Sequence, residues 1–339
     1  MKKIALSFLM VLLLLPYAFA GGAKEAATKA EPVQEKIQLK WSGMMTPTHA
    51  WVITAKDICK EVESRTNGRI TIEFYPAGAL GTQQEGIEML KAGDLAFLTS
   101  GPSIFASYVP QAQFFTFPYI FKDRDHVRRV VKSPLVQKMF NEDILAKSGV
   151  RTIAWWFYGL RHLTTKNTPA KTPADISKLK IRAVDNPAAK NVVLALGGNP
   201  VPVAFNELYF ALQTGVADGQ ENPVTTIYDK KFNEVQKYMI KTGHSVHMGT
   251  VHVSEKIWQK LSEDDRKMFT EVFDKYTAQV DQLIDKLTEE NLQEMVGKGL
   301  QVIEPDYEAF RTHALAFIEK VYGTDPKWTD TLNQVLAIK

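Results

Sequence analysis

The chain carries a single cysteine, Cys59, in 339 residues. An internal disulfide is therefore excluded, and stability must come from packing. Cys59 lies in an amphipathic pattern with Ile53, Ile58 and Val62. That pattern reads as a buried free thiol, not a reactive one. Charge of one sign is also scarce. The net charge is +3, and Lys2 and Lys3 contribute to it at the very start. Without those two the balance is about +1, which gives no case for nucleic acid or an anionic membrane surface as partner. After the first twenty residues no apolar run is long enough to cross a bilayer. Short-period repeats are absent, and low complexity is confined to residues 21–36.

Catalytic signatures are missing as well. No G-x-S-x-G, H-E-x-x-H, G-x-G-x-x-G or G-x-x-x-x-G-K-S/T occurs. His244, His247 and His252 cluster, but on a strand their spacings put neighbours on opposite faces. A zinc site needs ligands converging from one side, so neither a metal nor a cofactor is expected. The acidic groups Glu263-Asp264-Asp265 and Glu289-Glu290 fall on one long helical pattern and read as solvated faces. Glu221 falls in a loop-like stretch and is expected to be exposed. No carboxylate pair has the apolar setting that acid catalysis requires. The chain is expected not to be an enzyme.

What is present begins with an export signal. Lys2 and Lys3 precede a nearly unbroken apolar run from Ile4 to Leu15, then Pro16 and Ala18-Phe19-Ala20. This is the layout of a secretory signal peptide, with cleavage expected after Ala20. Residues 21–36 are rich in Ala, Gly, Glu and Lys and read as a flexible leader. The whole chain is 45% hydrophobic and 23% charged, the composition of a globular protein. The stretch after residue 36 is long enough for two domains.

From residue 37 the pattern alternates between strand and helix. Strands are expected at 37–41, 70–75, 95–99 and 150–157, with helices at 48–66 and 82–92. The rhythm restarts after Gly159, with strands at 179–183 and 201–203 and helices at 187–196 and 206–214. Residues 219–223 read as a loop at a strand end, where open α/β sheets place ligands. A strand follows at 244–253. Ser262 and Asp265 cap a helix of some 35 residues to Val296, about 50 Å long and long enough to cross both domains. The fold class is therefore α/β.

Two arginines stand out. Arg161 follows Trp155-Trp156-Phe157-Tyr158 across Gly159, and Arg182 sits inside an apolar strand. A guanidinium among apolar groups needs an anion. Both can grip a ligand carboxylate, or each can pair with a nearby acid of the protein.

At these residues the chain resembles a known family. Tyr209 to Pro223, reading YFALQTGVADGQENP, is similar to the signature stretch of the DctP-type solute-binding proteins of tripartite ATP-independent periplasmic (TRAP) transporters. Lys180-Ile181-Arg182, Phe117-Pro118-Tyr119-Ile120 and the run from Phe74 to Gly81 resemble further family landmarks. The resemblance implies two lobes joined by hinge strands and braced by a long helix, a periplasmic location, and a small organic acid bound between the lobes. It implies lobes at 37–158 with 248–287 and at 159–247 with 288–339. It assigns Arg182 to the ligand carboxylate, Asn222 and Arg161 to its support, and Phe205 to an aromatic wall. Asp185, Gly101 and Trp156 join them as candidate cleft residues. Integral membrane subunits are the implied partners of a monomer. Gly101, Ile104 and Met44 stand where sialic-acid binders carry polar or charged groups. That departure argues for a smaller or less polar acid. A binding subunit of an ATP-driven importer, a sensory protein and an exported enzyme are the alternatives.

Overall fold

The computed structural model describes residues 35–339. The expected signal peptide, its cleavage point and most of the leader lie outside the described residues. The strands are β1 (Ile37–Gly43), β2 (Ile70–Tyr75), β3 (Phe97–Ser100), β4 (Val150–Thr165), β5 (Lys180–Ala183), β6 (Asn199–Pro202), β7 (Gly219–Pro223), β8 (Tyr238–Ser254) and β9 (Gln301–Ile303). They form one mixed sheet in the order β2-β1-β3-β8-β4-β7-β5-β6, with β9 on β8. β1 runs parallel to both β2 and β3, and β5 runs parallel to both β6 and β7. Between these two parallel sets lie β4 and β8, antiparallel to each other along nearly their whole length.

β4 and β8 are far longer than the pattern suggests. β4 has 16 residues and β8 has 17. Gly159 looks like a strand end, yet it adopts φ +120° inside β4, where only glycine is comfortable. The ladder to β8 shifts register there, between Phe157 and Gly159, and again between Arg161 and Leu163. Such irregularities bend a strand without ending it. Residues 219–223, expected as a loop, are strand β7, paired antiparallel to β4 from Arg161↔Pro223 to Thr165↔Gly219.

Helices follow the apolar spacing more closely. Ala50–Arg65 and Gln83–Ala92 cross between parallel strands. The second is closed by a capping box of Thr82 and Glu85 and stopped by left-handed Gly93. The long helix runs Glu263–Gly297, 35 residues, with Ser262 accepting from the Asp265 amide.

The core divides along the sheet. One cluster holds Trp41, Phe97, Trp156 and Phe273 with the rest of the first parallel set. Two smaller ones, around Ile181 and Leu196 and around Leu212 and Met239, lie against the second set. The long helix serves both: Phe269 to Ile284 pack into the first cluster, and Met295 into the third. Arg69–Asp265, Arg124–Asp285 and Arg128–Asp281 ion pairs fasten it to the first set. The C-terminal helices reach the first set. Ile318, Tyr322, Trp328 and Val335 pack into the first cluster, because Tyr322 and Trp328 stack on Phe117. Cys59 is half-buried against that cluster, and burial pushes its thiol up to about 12.

One glycine is essential to the β8 surface. A Cβ added at Gly249 would lie 2.1 Å from Trp51 Cη2. The indole cannot swing away without losing its Nε1 hydrogen bond to the Phe157 carbonyl, 3.0 Å. Gly249→Val is expected to lower unfolding stability by about 1–3 kcal/mol through overpacking, read as a lower urea midpoint at unchanged slope.

Candidate functional site

The parallel strands deliver their C-terminal ends to one cleft. β1 ends at Met44 and Met45, β3 at Gly101, Ser103 and Ile104, β5 at Val184 and Asp185, and β6 at Val203 and Phe205; all of these line it. Between them β4 contributes Tyr158 and Arg161, β7 Glu221 and Asn222, and β8 His247. The cleft encloses about 1150 Å³. First-turn residues of two helices, Gln83 and Gln84 and then Pro187 to Ala189, also line it. Each such terminus carries partial positive charge from unpaired amides.

The two arginines have different fates. Arg161 is an internal partner: its Nε and Nη2 both reach the Glu221 carboxylate, the latter at 2.9 Å. Nη2 also donates to the Glu221 carbonyl at 2.6 Å and to Asn222 Oδ1 at 3.0 Å. His244 Nε2 closes the group, 3.1 Å from Glu221 Oε2. Burial opposes ionisation of Glu221, but the Arg161 charge and the bonds from His244 and Arg161 outweigh it and hold the carboxyl well below its ordinary range. Glu221 is thus not the exposed loop group expected, since pairing of β7 with β4 turns its side chain inward.

Arg182 has no such partner. The residue is 4% exposed, its Nε donates to the Val203 carbonyl at 3.0 Å, and its Nη2 finds no hydrogen-bond acceptor among the described residues. Its Cζ lies 5.5 Å from the centre of the Phe205 ring. Burial pushes its pKa down, and Glu221 offsets this only in part, with Arg161 adding to the repulsion. A desolvated guanidinium with a free donor edge is a receptor for an oxyanion.

The other expected residues are placed as follows. Asn222 is buried at the cleft floor; its Nδ2 donates to Gln220 Oε1 at 2.6 Å. An amide nitrogen has two hydrogens, so one remains. Gly101 lines the opposite wall near the imidazole of His247, whose Nε2 would be 3.8 Å from an added Cβ. Asp185 is at the mouth, paired with Lys190 at 2.7 Å. Trp156 does not line the cleft. It is fully buried against Trp41, 5.9 Å between ring centres. Trp155 points to the other face and packs on Phe115 and Phe140. Neither indole forms an apolar ligand wall, because the first cluster claims both.

The first wall is more polar than the sequence pattern suggests. Alongside Met44, Gly101 and Ile104 it presents Gln83, Gln84, Ser103 and Gln113. Contacts also bridge the cleft mouth. Lys230 Nζ donates to the Met44 carbonyl at 2.6 Å, and Asp229 accepts from the Thr46 amide at 3.2 Å and from the Thr46 hydroxyl.

The chain has relatives among known proteins. The sialic acid-binding periplasmic protein SiaP of Vibrio cholerae is 33% identical over 258 residues, covering 76% of this chain and 80% of that protein. A TRAP periplasmic solute-binding protein of Roseobacter denitrificans with bound L-galactonate superposes with TM-score 0.84 at 29% identity, over 90% of this chain and 100% of that one. A second, from a Polaromonas species and bound to D-erythronate, gives TM-score 0.83 at 28% identity, over 90% and 99%. The family of bacterial extracellular solute-binding proteins, family 7, matches residues 41–325, and the chain belongs to it.

Proposed function

We propose that the protein captures a small organic acid outside the cytoplasm, seats its carboxylate on Arg182, and passes it to the integral membrane subunits of a TRAP transporter. The observation that carries this is the buried Arg182 guanidinium, which takes part in no ion pair among the described residues. A carboxylate bound there satisfies the free Nη2, and the remaining Asn222 hydrogen supports it. Phe205 keeps the guanidinium plane in place. Arg161, held by Glu221, shapes the floor and does not carry the ligand charge.

The lobes we propose are residues 37–158 with 248–287 and residues 159–247 with the stretch after 288, the last helix, Pro326–Ala337, returning to the first lobe. Ligand-driven closure then turns on β4 and β8 near Gly159, where the ladder is irregular. Closure excludes water, and a Coulomb attraction weakened by water strengthens as the local dielectric falls. The Lys230–Met44 and Asp229–Thr46 contacts suit the closed form. The relatives with bound L-galactonate and D-erythronate support an acid as cargo.

A thermal-shift screen against a library of carboxylates tests the reading. A binder present at 100 times its Kd is expected to add about 2.7 kcal/mol of apparent stability. Failure of every carboxylate to raise the midpoint refutes the proposal.

A further inference from the structure

The charges lining the cleft can be counted. Among the described residues, Arg161 and Arg182 are the only lysine or arginine side chains in the lining. Arg161 is neutralised by Glu221 through two guanidinium nitrogens. Lys230 sits behind Phe205, 5.4 Å from its ring, engaged with the Met44 carbonyl and outside the lining. The other acids of the lining, Asp185 and Glu207, are exposed at the mouth, and Asp185 already holds Lys190. One unmatched positive charge is left in the interior.

The rest of the interior is uncharged, with polar groups set among apolar ones such as Met44, Ile104 and Phe205. Gln83, Gln84, Ser103 and Gln113 face the cleft from the first wall. His247 lies on β8 opposite Gly159, 8% exposed, with Nδ1 lacking a partner among the described residues. Tyr158 and Gly101 stand beside it, and its Nε2 lies toward the space that Gly101 leaves open. Burial, reinforced by the Arg161 charge, pushes the pKa of His247 down to about 3. At neutral pH it is an uncharged hydrogen-bonding group, suited to a hydroxyl and unable to match a second carboxylate.

The geometry points to a polyhydroxylated acid with one carboxylate as the cargo, with Arg182 taking the single charge and His247 reading a hydroxyl near Gly101. This rests on the proposed capture of a carboxylate by Arg182 and adds what the remainder of the ligand must be. Diacids of the same carbon skeleton are disfavoured. Their second carboxylate would be buried with no free cationic side chain to pair it, and the partial charge of a helix terminus does not match a full one, so such a group is costly to desolvate.

Matched pairs that differ only at the terminal carbon give the test. Calorimetry at pH 7 compares D-erythronate with meso-tartrate and L-galactonate with galactarate, with succinate and L-malate alongside. At least one hydroxy monoacid is expected to bind, with its diacid weaker by about 100-fold. His247→Phe is expected to weaken that monoacid by about 10-fold while leaving the unfolding midpoint of the free protein within a few degrees. Glu221→Gln leaves Arg161 unmatched, so a folded variant is expected to narrow the gap between monoacid and diacid. A diacid that binds the wild-type protein as tightly as its monoacid overturns the inference. So does binding of succinate or malate without any hydroxy monoacid, which leaves carboxylate capture by Arg182 standing. Binding by none of the six overturns the inference as well, and the wider carboxylate screen then decides the parent reading separately. If Glu221→Gln does not fold, the wild-type pairs decide alone.

Discussion

Arg182→Ala is expected to weaken capture of the cognate acid by about 2–5 kcal/mol in binding free energy, or roughly 30-fold to several thousand-fold in Kd. The size follows from the setting. Arg182 is 4% exposed, and among the described residues its Nη2 has no acceptor and no acid pairs with it. The ligand carboxylate is then its whole counter-charge, and truncation leaves that carboxylate desolvated and unmatched. The same setting predicts an opposite effect on stability. The free protein bears the cost of a buried, unmatched cation, so removing it is expected to raise, or leave unchanged, the unfolding midpoint without ligand. Calorimetry and a melting curve on one preparation read both. Arg182→Lys separates charge from shape: a point charge without the planar fork is expected to recover only part of the affinity. Full affinity in Arg182→Ala would remove Arg182 from the site.

Much of the fold could be read directly from apolar spacing. The helices at Ala50–Arg65, Gln83–Ala92 and Glu263–Gly297 lie within two residues of their expected ends, because Thr82, Gly93 and Ser262 are strong local stop and start signals. The long strands were less legible. Gly159 interrupts the alternation, and only the partner strand reveals that β4 continues past it. Residues 219–223 are polar and end in proline, which on local grounds is a loop; pairing with β4 makes them a strand and buries Glu221. Tertiary contacts outweigh local preference in both places.

The site divides in the same way. Arg161 and Arg182 look alike in sequence, each a cation in an apolar setting. What separates them is a cross-strand register that brings Glu221 to Arg161 and leaves Arg182 alone. Trp156 fails as a wall residue for a related reason: alternation along β4 shows that Trp155 and Trp156 face apart, but not that clusters wait on both faces. His247 could have been found only from its place on β8 opposite Gly159.

Glu221→Ala is the substitution expected to harm folding most. It strips the largely buried Arg161 of its two-point ion pair and His244 of its acceptor, while Arg161 keeps only the residue 221 carbonyl and Asn222 Oδ1. Breaking one side of such a pair costs about 3–5 kcal/mol, because the remaining charge is uncompensated. In a chain of this size that lowers the midpoint by roughly 6–10 °C. The double variant Glu221→Leu with Arg161→Met removes both charges and is expected to recover most of the loss, which a double-mutant cycle reads as a strong coupling. Acid gives an independent signature. The folded-state pKa of Glu221 lies well below its ordinary value. Its contribution is thus present in full above the unfolded carboxylate pKa of about 4.3 and fades as pH falls from there toward the folded value. The stability gap between wild type and Glu221→Ala is therefore expected to be wide at pH 7 and to narrow below about pH 4. A gap that stays constant down to pH 3 would mean that the ion pair contributes nothing to folding, and that Arg161, like Arg182, is free to meet the ligand.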